Sequence, residues 1–306
     1  MILVGAQGYK PDPEGTEAFV RTLPLSYAIQ ALALKEDDDG RDCLNYRNLT
    51  RLIKLHGDID RWLNESNQLR SRNQNPAGTC VGFGTATPLD ILAACDITCR
   101  NEPELFKGTF SPDWCYGASR DISGHLGRSD GSYGGAAAKA IREWGTLLQI
   151  DELEQYDYKK TRWWARYGVP EELKSLADPH KVIFTTRLED AEEAWSCVGN
   201  GYPFNMCSNV GWNGDRDSDG AIRRKGSWSH SMGVTSRRTT PGGRRLLLVH
   251  QSWGDNWTGG SYFEDQPLGS FWADFKDIDK AVQQGDSFSY SGYEGFVRRR
   301  PDHTVL

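Results

Sequence analysis

Arg72 to Thr85 reads RNQNPAGTCVGFGT. A polar run ends at Thr79, and Cys80 then opens an apolar, small-residue segment that continues to Cys95. The pattern predicts a helix that begins at Cys80. A cysteine there sits at the positive end of the helix dipole, which stabilises thiolate and lowers the thiol pKa. Thiolate is the nucleophilic form, so this placement activates a cysteine without a metal. A buried structural cysteine at a helix start fits the same residues. Pro88, eight residues further on, predicts a kink or a fresh helix start.

Two later segments hold groups that such a cysteine would need. Gly226 to Val234 reads GSWSHSMGV and places His230 150 residues after Cys80. A lone histidine is a proton acceptor or simply a structural residue. Leu246 to Gly254 reads LLLVHQSWG, a strand that delivers Gln251 with Ser252, Trp253 and Gly254 behind it. A base that accepts a thiol proton needs a third group to fix its tautomer, and an amide carbonyl can do this. A flanking tryptophan can keep water from that hydrogen bond. His250 neighbours Gln251 on the strand and should face the other way.

The rest of the chain sets the frame. It has 306 residues, 38% hydrophobic and 25% charged, which excludes a disordered or low-complexity chain. A formal charge of −6 argues against a nucleic-acid partner. No stretch approaches the ~18 apolar residues of a membrane span. Seven cysteines without a signal-peptide pattern predict free buried thiols rather than a disulfide framework. The N-terminus predicts a cytoplasmic protein, or one in a phage particle assembled there. Residues 1–58 read as an extension, with helical spacing over 25–35 and 44–55. Residues 59–297 read as one domain, and 298–306 as a basic tail. Helical patterns cover 135–149 and 188–197. Strands are predicted at 182–186, 201–207 and 246–253, and 100–133 reads as loops. Helices dominate the first half and strands the second, which predicts an α+β fold. No cofactor is implied, and oligomeric state is not legible.

Taken together, the segments resemble the papain-like cysteine peptidases. Arg72-Asn73-Gln74 resembles the family's basic-Asn-Gln run, with Gln74 six residues before Cys80. Gly78 to Phe83 is similar to its Gly-Ser-Cys-Trp-Ala-Phe. Gly134-Gly135 before a small-residue helix resembles its cleft-lining pair. Ser252-Trp253-Gly254 matches its Ser-Trp-Gly, and Gly269 to Trp272 resembles the following strand. The resemblance spans about 58–272. It implies a two-lobed fold, helical over about 75–175 and β-barrel-like over about 176–297, with the cleft between. It implies a Cys80 nucleophile, a His230 base, Gln251 as orienting group and Gln74 as oxyanion donor. Gly134, Gly135 and Trp253 would line the substrate site, and the substrate would be a protein or peptide.

Departures from the family pattern keep other readings open. Val81 replaces a tryptophan, Gln251 an asparagine, and the usual clamp disulfide is absent. A retired peptidase serving as a binding or virion module fits these changes. So does an amidase acting on bacterial wall peptides. Residues 1–58 do not resemble the family's inhibitory pro-segment, so activation by its removal is not expected. Asp215, Asp217 and Asp219 lie at calcium-loop spacing, but Gly226 stands where the closing acid belongs. An acidic turn is the simpler reading. Cys95, Cys99, Cys115 and His125 form only a loose zinc spacing.

Overall fold

The computed structural model describes residues 6–23, 72–98, 108–149, 156–212, 215–257, 262–263 and 266–293. The helical stretches expected over 25–35 and 44–55, the basic tail and Cys99 lie outside these. Six helices come first: α1 (Pro13–Val20), α2 (Cys80–Thr98), α3 (Pro112–Ile122), α4 (Gly134–Glu143), α5 (Tyr158–Tyr167) and α6 (Glu171–Ala177). The second part interleaves β1 (Val182–Arg187), α7 (Ala191–Gly199), β2 (Phe204–Val210), β3 (Ser227–Thr239), β4 (Arg245–His250), β5 (Ser270–Asp274), α8 (Phe275–Val282) and β6 (Phe288–Tyr293). The fold class is α+β, as the segregation of patterns implied.

α2 carries the architecture. Its residues from Cys80 to Ala93 are buried apart from a half-buried Thr87, so no polar face marks it as amphipathic. Pro88 does not break it, and the helix runs through as one element. The proline removes the N–H that would reach the Gly84 carbonyl, but its ring packs on β3. A Cβ at Gly233 would lie 2.8 Å from Pro88 Cδ. Tertiary packing thus outweighs the local penalty. Leu89, Leu92 and Ala93 join Met206, Met232, Val234, Val249, Phe271 and Phe288 of the strands in one core. A second cluster, around Trp114, Ala140, Trp164 and Val169, fastens α3 to α6 together.

The six strands form one antiparallel sheet in the order β1-β6-β2-β3-β4-β5. Its end strands do not pair, so among the described residues the expected barrel-like lobe is an open sheet. β3 spans 13 residues and carries the register between β2 and β4. The region read as loops, 100–133, contains α3. Ser111 caps it by accepting from Trp114 N, Pro112 stands in the first turn, and Asp113 adds a favourable charge there. α4 has no local cap. The N–H groups of Gly134 and Gly135 instead donate to the Asp286 carboxylate at 2.7 and 2.8 Å, across the chain.

Candidate active site

Cys80 is the first residue of α2, and α2 lies so close to β3 that no side chain fits between. A Cβ at Gly84 would stand 2.3 Å from Ser231 Oγ and 3.0 Å from Met232 N. That approach sets the Cys80 end of α2 against β3, the strand that carries His230. His230 sits mid-strand opposite Ser208. Gln251 follows the end of β4, and its Oε1 is hydrogen-bonded to His230 Nε2. The same Oε1 accepts from Ser252 N at 2.9 Å, and Gln251 Nε2 points at Met232 Sδ, 3.6 Å away. These contacts fix the amide orientation, so His230 Nε2 must be the donor. The other ring nitrogen, Nδ1, is then a lone-pair acceptor, and it has no partner among the described residues. The extra methylene of glutamine therefore still delivers a carbonyl to the ring. Trp253 lies along the imidazole, with ring centroids 4.6 Å apart at 33°. His250 faces away, its Nε2 2.7 Å from Thr235 Oγ1.

Gln74 reaches the same place by backbone pairing. Gln74 N donates to Ser252 O, Gly254 N donates to Arg72 O, and Asn73 pairs with Trp253. The Arg-Asn-Gln run and the Ser-Trp-Gly run are therefore adjacent strands in miniature. Ser252 Oγ donates to Gln74 Oε1 at 2.6 Å and turns the Gln74 amide nitrogen outward. That nitrogen donates to Ala77 O at 2.7 Å and to Ala6 O at 2.9 Å.

The partner Ala6 was not foreseen. Residues 6–10 lie across the site as a strap. Ala6 O accepts from Gln74 Nε2 and from Trp253 Nε1 at 3.2 Å. Ser229 N donates to Gln7 Oε1 at 3.0 Å, Tyr9 N to Ser229 O at 3.1 Å, and Lys10 N and Ser132 N bond with Ser132 O and Gly8 O. Gly8 fits only because it is glycine: a Cβ there would be 1.9 Å from Gly78 O. Beneath the strap Cys80 and His230 are both 0% exposed. Residues 6–10 of the expected extension thus lie against the residues read as the site, a contact the sequence did not indicate. Its missing signature is understandable, because backbone groups make most of these contacts and leave little trace in side-chain pattern.

Burial sets the electrostatics. It pushes the Cys80 thiol up to about 12, against the backbone N–H groups that pull it down. It pushes His230 down to about 4, against the Gln251 hydrogen bond. In the closed site both groups are neutral at pH 7.

The other candidates fall elsewhere. Gly134 and Gly135 form the first turn of α4, with their N–H groups on Asp286. The backbone that borders the strap is Ser132, two residues earlier. Asp217 and Asp219 bind the Arg244 guanidinium at 2.7 and 3.1 Å, and Asp274 holds its Nε at 2.6 Å. A cation of the chain itself therefore occupies the loop read as possible calcium spacing, and Asp215 is exposed outside it. Cys95 and Cys115 are buried free thiols, and His125 Nε2 lies 3.6 Å from Asp12. Among the described residues no helix is long and apolar enough to cross a membrane.

No family model and no curated protein matches the sequence. Solved structures do match. Xylellain, a cysteine protease from Xylella fastidiosa, superposes with a TM-score of 0.56 at 16% identity, over 97% of this chain and 98% of that one. The ragweed pollen cysteine protease Amb a 11, in its proform, gives 0.50 at 13% identity over 85% and 69%. Digestive procathepsin L 3 of Tenebrio molitor gives 0.50 at 12% identity over 95% and 84%. The α+β arrangement of α2 against the open sheet is therefore the papain-like cysteine protease fold.

Proposed function

We propose that the protein is a cysteine-type peptidase kept latent by its own residues 6–10. What supports this reading is the buried His230–Gln251 hydrogen bond, with Gln74 tied to the neighbouring Ser252, in a fold whose first long helix opens on buried Cys80. In the open form, His230 Nδ1 takes the Cys80 proton. The thiolate attacks a peptide carbonyl, and the oxyanion is held by Gln74 Nε2 and Cys80 N–H. His230 returns the proton to the leaving amine, giving a thioester. Water then attacks the thioester, with His230 accepting its proton and passing it to the departing sulfur. Trp253 shields the His230–Gln251 hydrogen bond.

Burial of the neutral Cys80 and His230 favours a second reading, a retired scaffold that binds peptide without cutting it. Hydrolysis of an unfolded protein by full-length Gly8→Val separates the two. The peptidase reading expects cleavage that Cys80→Ala abolishes. No cleavage by the opened protein leaves the binding scaffold.

A further inference from the structure

Gln74 and Cys80 carry the two groups assigned to the oxyanion, and the short segment from Asn75 to Thr79 joins them. This segment is tightly turned. Asn73 Oδ1 accepts from Asn75 N at 2.8 Å, and Asn75 takes a left-handed φ of 54°, which asparagine adopts more readily than most residues. Gln74 Nε2 gives one N–H to Ala77 O within the loop and the other to Ala6 O of the strap. Release of the strap therefore frees one Gln74 N–H. The amide stays pinned by Ala77 on one side and by Ser252 on the other.

A side chain from outside the loop also holds it. Tyr156 Oη lies 2.7 Å from Thr79 Oγ1 and donates to Gln74 O at 3.3 Å. With its one proton on the carbonyl, the phenol oxygen accepts from Thr79. Thr79 directly precedes α2, where a threonine hydroxyl ordinarily turns back to cap the first-turn N–H groups. Here Thr79 Oγ1 meets Tyr156, and Gly82 N donates to the Thr79 carbonyl instead. Tyr156 is itself firmly mounted. Its ring packs edge-on against Phe83 of α2, with centroids 4.7 Å apart. The next residue, Asp157, caps α5. Its N–H and the Thr161 hydroxyl both donate to the buried Asp113 carboxylate of α3, at 3.2 and 2.5 Å.

We infer that Tyr156 is a positioning residue for the reaction: its hydroxyl ties the Gln74 carbonyl to the Thr79 side chain and so sets the separation of Gln74 Nε2 from the Cys80 N–H. The inference rests on the peptidase reading. An oxyanion donor acts only when held where the charge develops, so loosening this tie weakens the donors. Formation of the Cys80 thiolate by His230 does not pass through the tie. Phenylalanine at position 156 keeps the ring against Phe83 and removes the hydroxyl alone.

The test compares full-length Gly8→Val with Gly8→Val/Tyr156→Phe. Values of kcat and KM are read on a fluorogenic peptide amide selected from a library by cleavage with Gly8→Val. Cys80 alkylation by iodoacetamide is followed from pH 4 to 9 in both proteins. Alkylation displaces iodide from a saturated carbon and forms no oxyanion, so it reads the nucleophile alone. Tyr156→Phe is expected to lower kcat about tenfold or more, with KM and the alkylation profile unchanged. Thr79→Val in the Gly8→Val chain should give the same fall, and Thr79→Ser should not. Tyr156→Phe and Thr79→Val together should fall no further than either alone. An unchanged kcat in Tyr156→Phe overturns the inference and leaves the peptidase reading standing. So do additive losses, since the two hydroxyls would then act apart. A fall in alkylation rate as large as the fall in kcat overturns it too, because Tyr156 would then support the structure generally. If Gly8→Val itself cleaves no amide, the peptidase reading falls and the positioning role falls with it.

Discussion

Replacing Gly8 with valine is expected to uncover Cys80, and the structure sets the size of the effect. Ala6 to Lys10 are tied to the site by hydrogen bonds from Gln74, Trp253, Ser229, Tyr9, Lys10 and Ser132. At about 1 kcal/mol net for each of these, with about 2 kcal/mol for burying Tyr9, the attraction is of order 8 kcal/mol. Ordering the backbone of this segment costs roughly 1–1.5 kcal/mol per residue. The strap is thus held by a margin of only about 0.5–3 kcal/mol. A Cβ at position 8 meets the Gly78 carbonyl at 1.9 Å, and neither partner is a flexible side-chain end. Overpacking of this kind costs about 1–3 kcal/mol, enough to cancel the margin. Sub-stoichiometric iodoacetamide followed by peptide mapping reads the result, with buried Cys95, Cys115 and Cys197 as internal references. Cys80 in Gly8→Val is expected to react about ten to a hundred times faster than in the unaltered chain. Equal rates, or a parallel rise in all four cysteines, would refute the reasoning, since the strap would then not be what closes the site.

Three further outcomes follow from the same geometry. Gln251→Leu removes the acceptor of His230 Nε2, and activity of the opened protein is expected to fall about ten- to a hundredfold, read as kcat; Gln251→Asn should recover part of it. His230 and His250 are both held at about 4 by burial, below the ordinary 6.5. Their folded pKa values are depressed, so unfolded chains bind more protons between these values. The stability they contribute is therefore full above pH 6.5 and lost as pH falls toward 4, by about 1.4 kcal/mol per pH unit for each; His230→Phe should halve that slope in urea titrations. Arg244→Ala leaves Asp217, Asp219 and Asp274 facing one another and is expected to cost about 1 kcal/mol, less at high salt. Calcium or a chelator should leave the Tm of the unaltered chain unmoved, because the guanidinium holds that position.

Sequence and structure agree where local chemistry and tertiary packing point the same way. The Cys80 helix start and the strand leading to Gln251 both rest on short segments whose residue types suffice. α3 escaped because its Gly, Asp and aromatic content imitates a loop, although Ser111-Pro112-Asp113 is a sound helix start. Pro88 misled in the opposite sense, since burial on β3 holds together a helix that propensity would divide. The role of Gly134 and Gly135 turned on Asp286, about 150 residues away in sequence, and no local pattern announces such a cap. The strap was least legible of all. Its recognition is carried largely by carbonyl and N–H groups that every sequence possesses, with side-chain contacts from Gln7, Tyr9 and Lys10 and close approach allowed by Gly8.

On the peptidase reading, Cys80 and His230 become a working pair once the strap leaves. The alkylation rate of Cys80 in full-length Gly8→Val, followed from pH 4 to 9 beside Gly8→Val/His230→Ala, tests it most directly. The account predicts a rate already at its plateau near pH 6 in the first protein, and a midpoint above pH 8 in the second. A midpoint above pH 8 in both would contradict it, because uncovered Cys80 would then be an ordinary thiol that His230 does not activate.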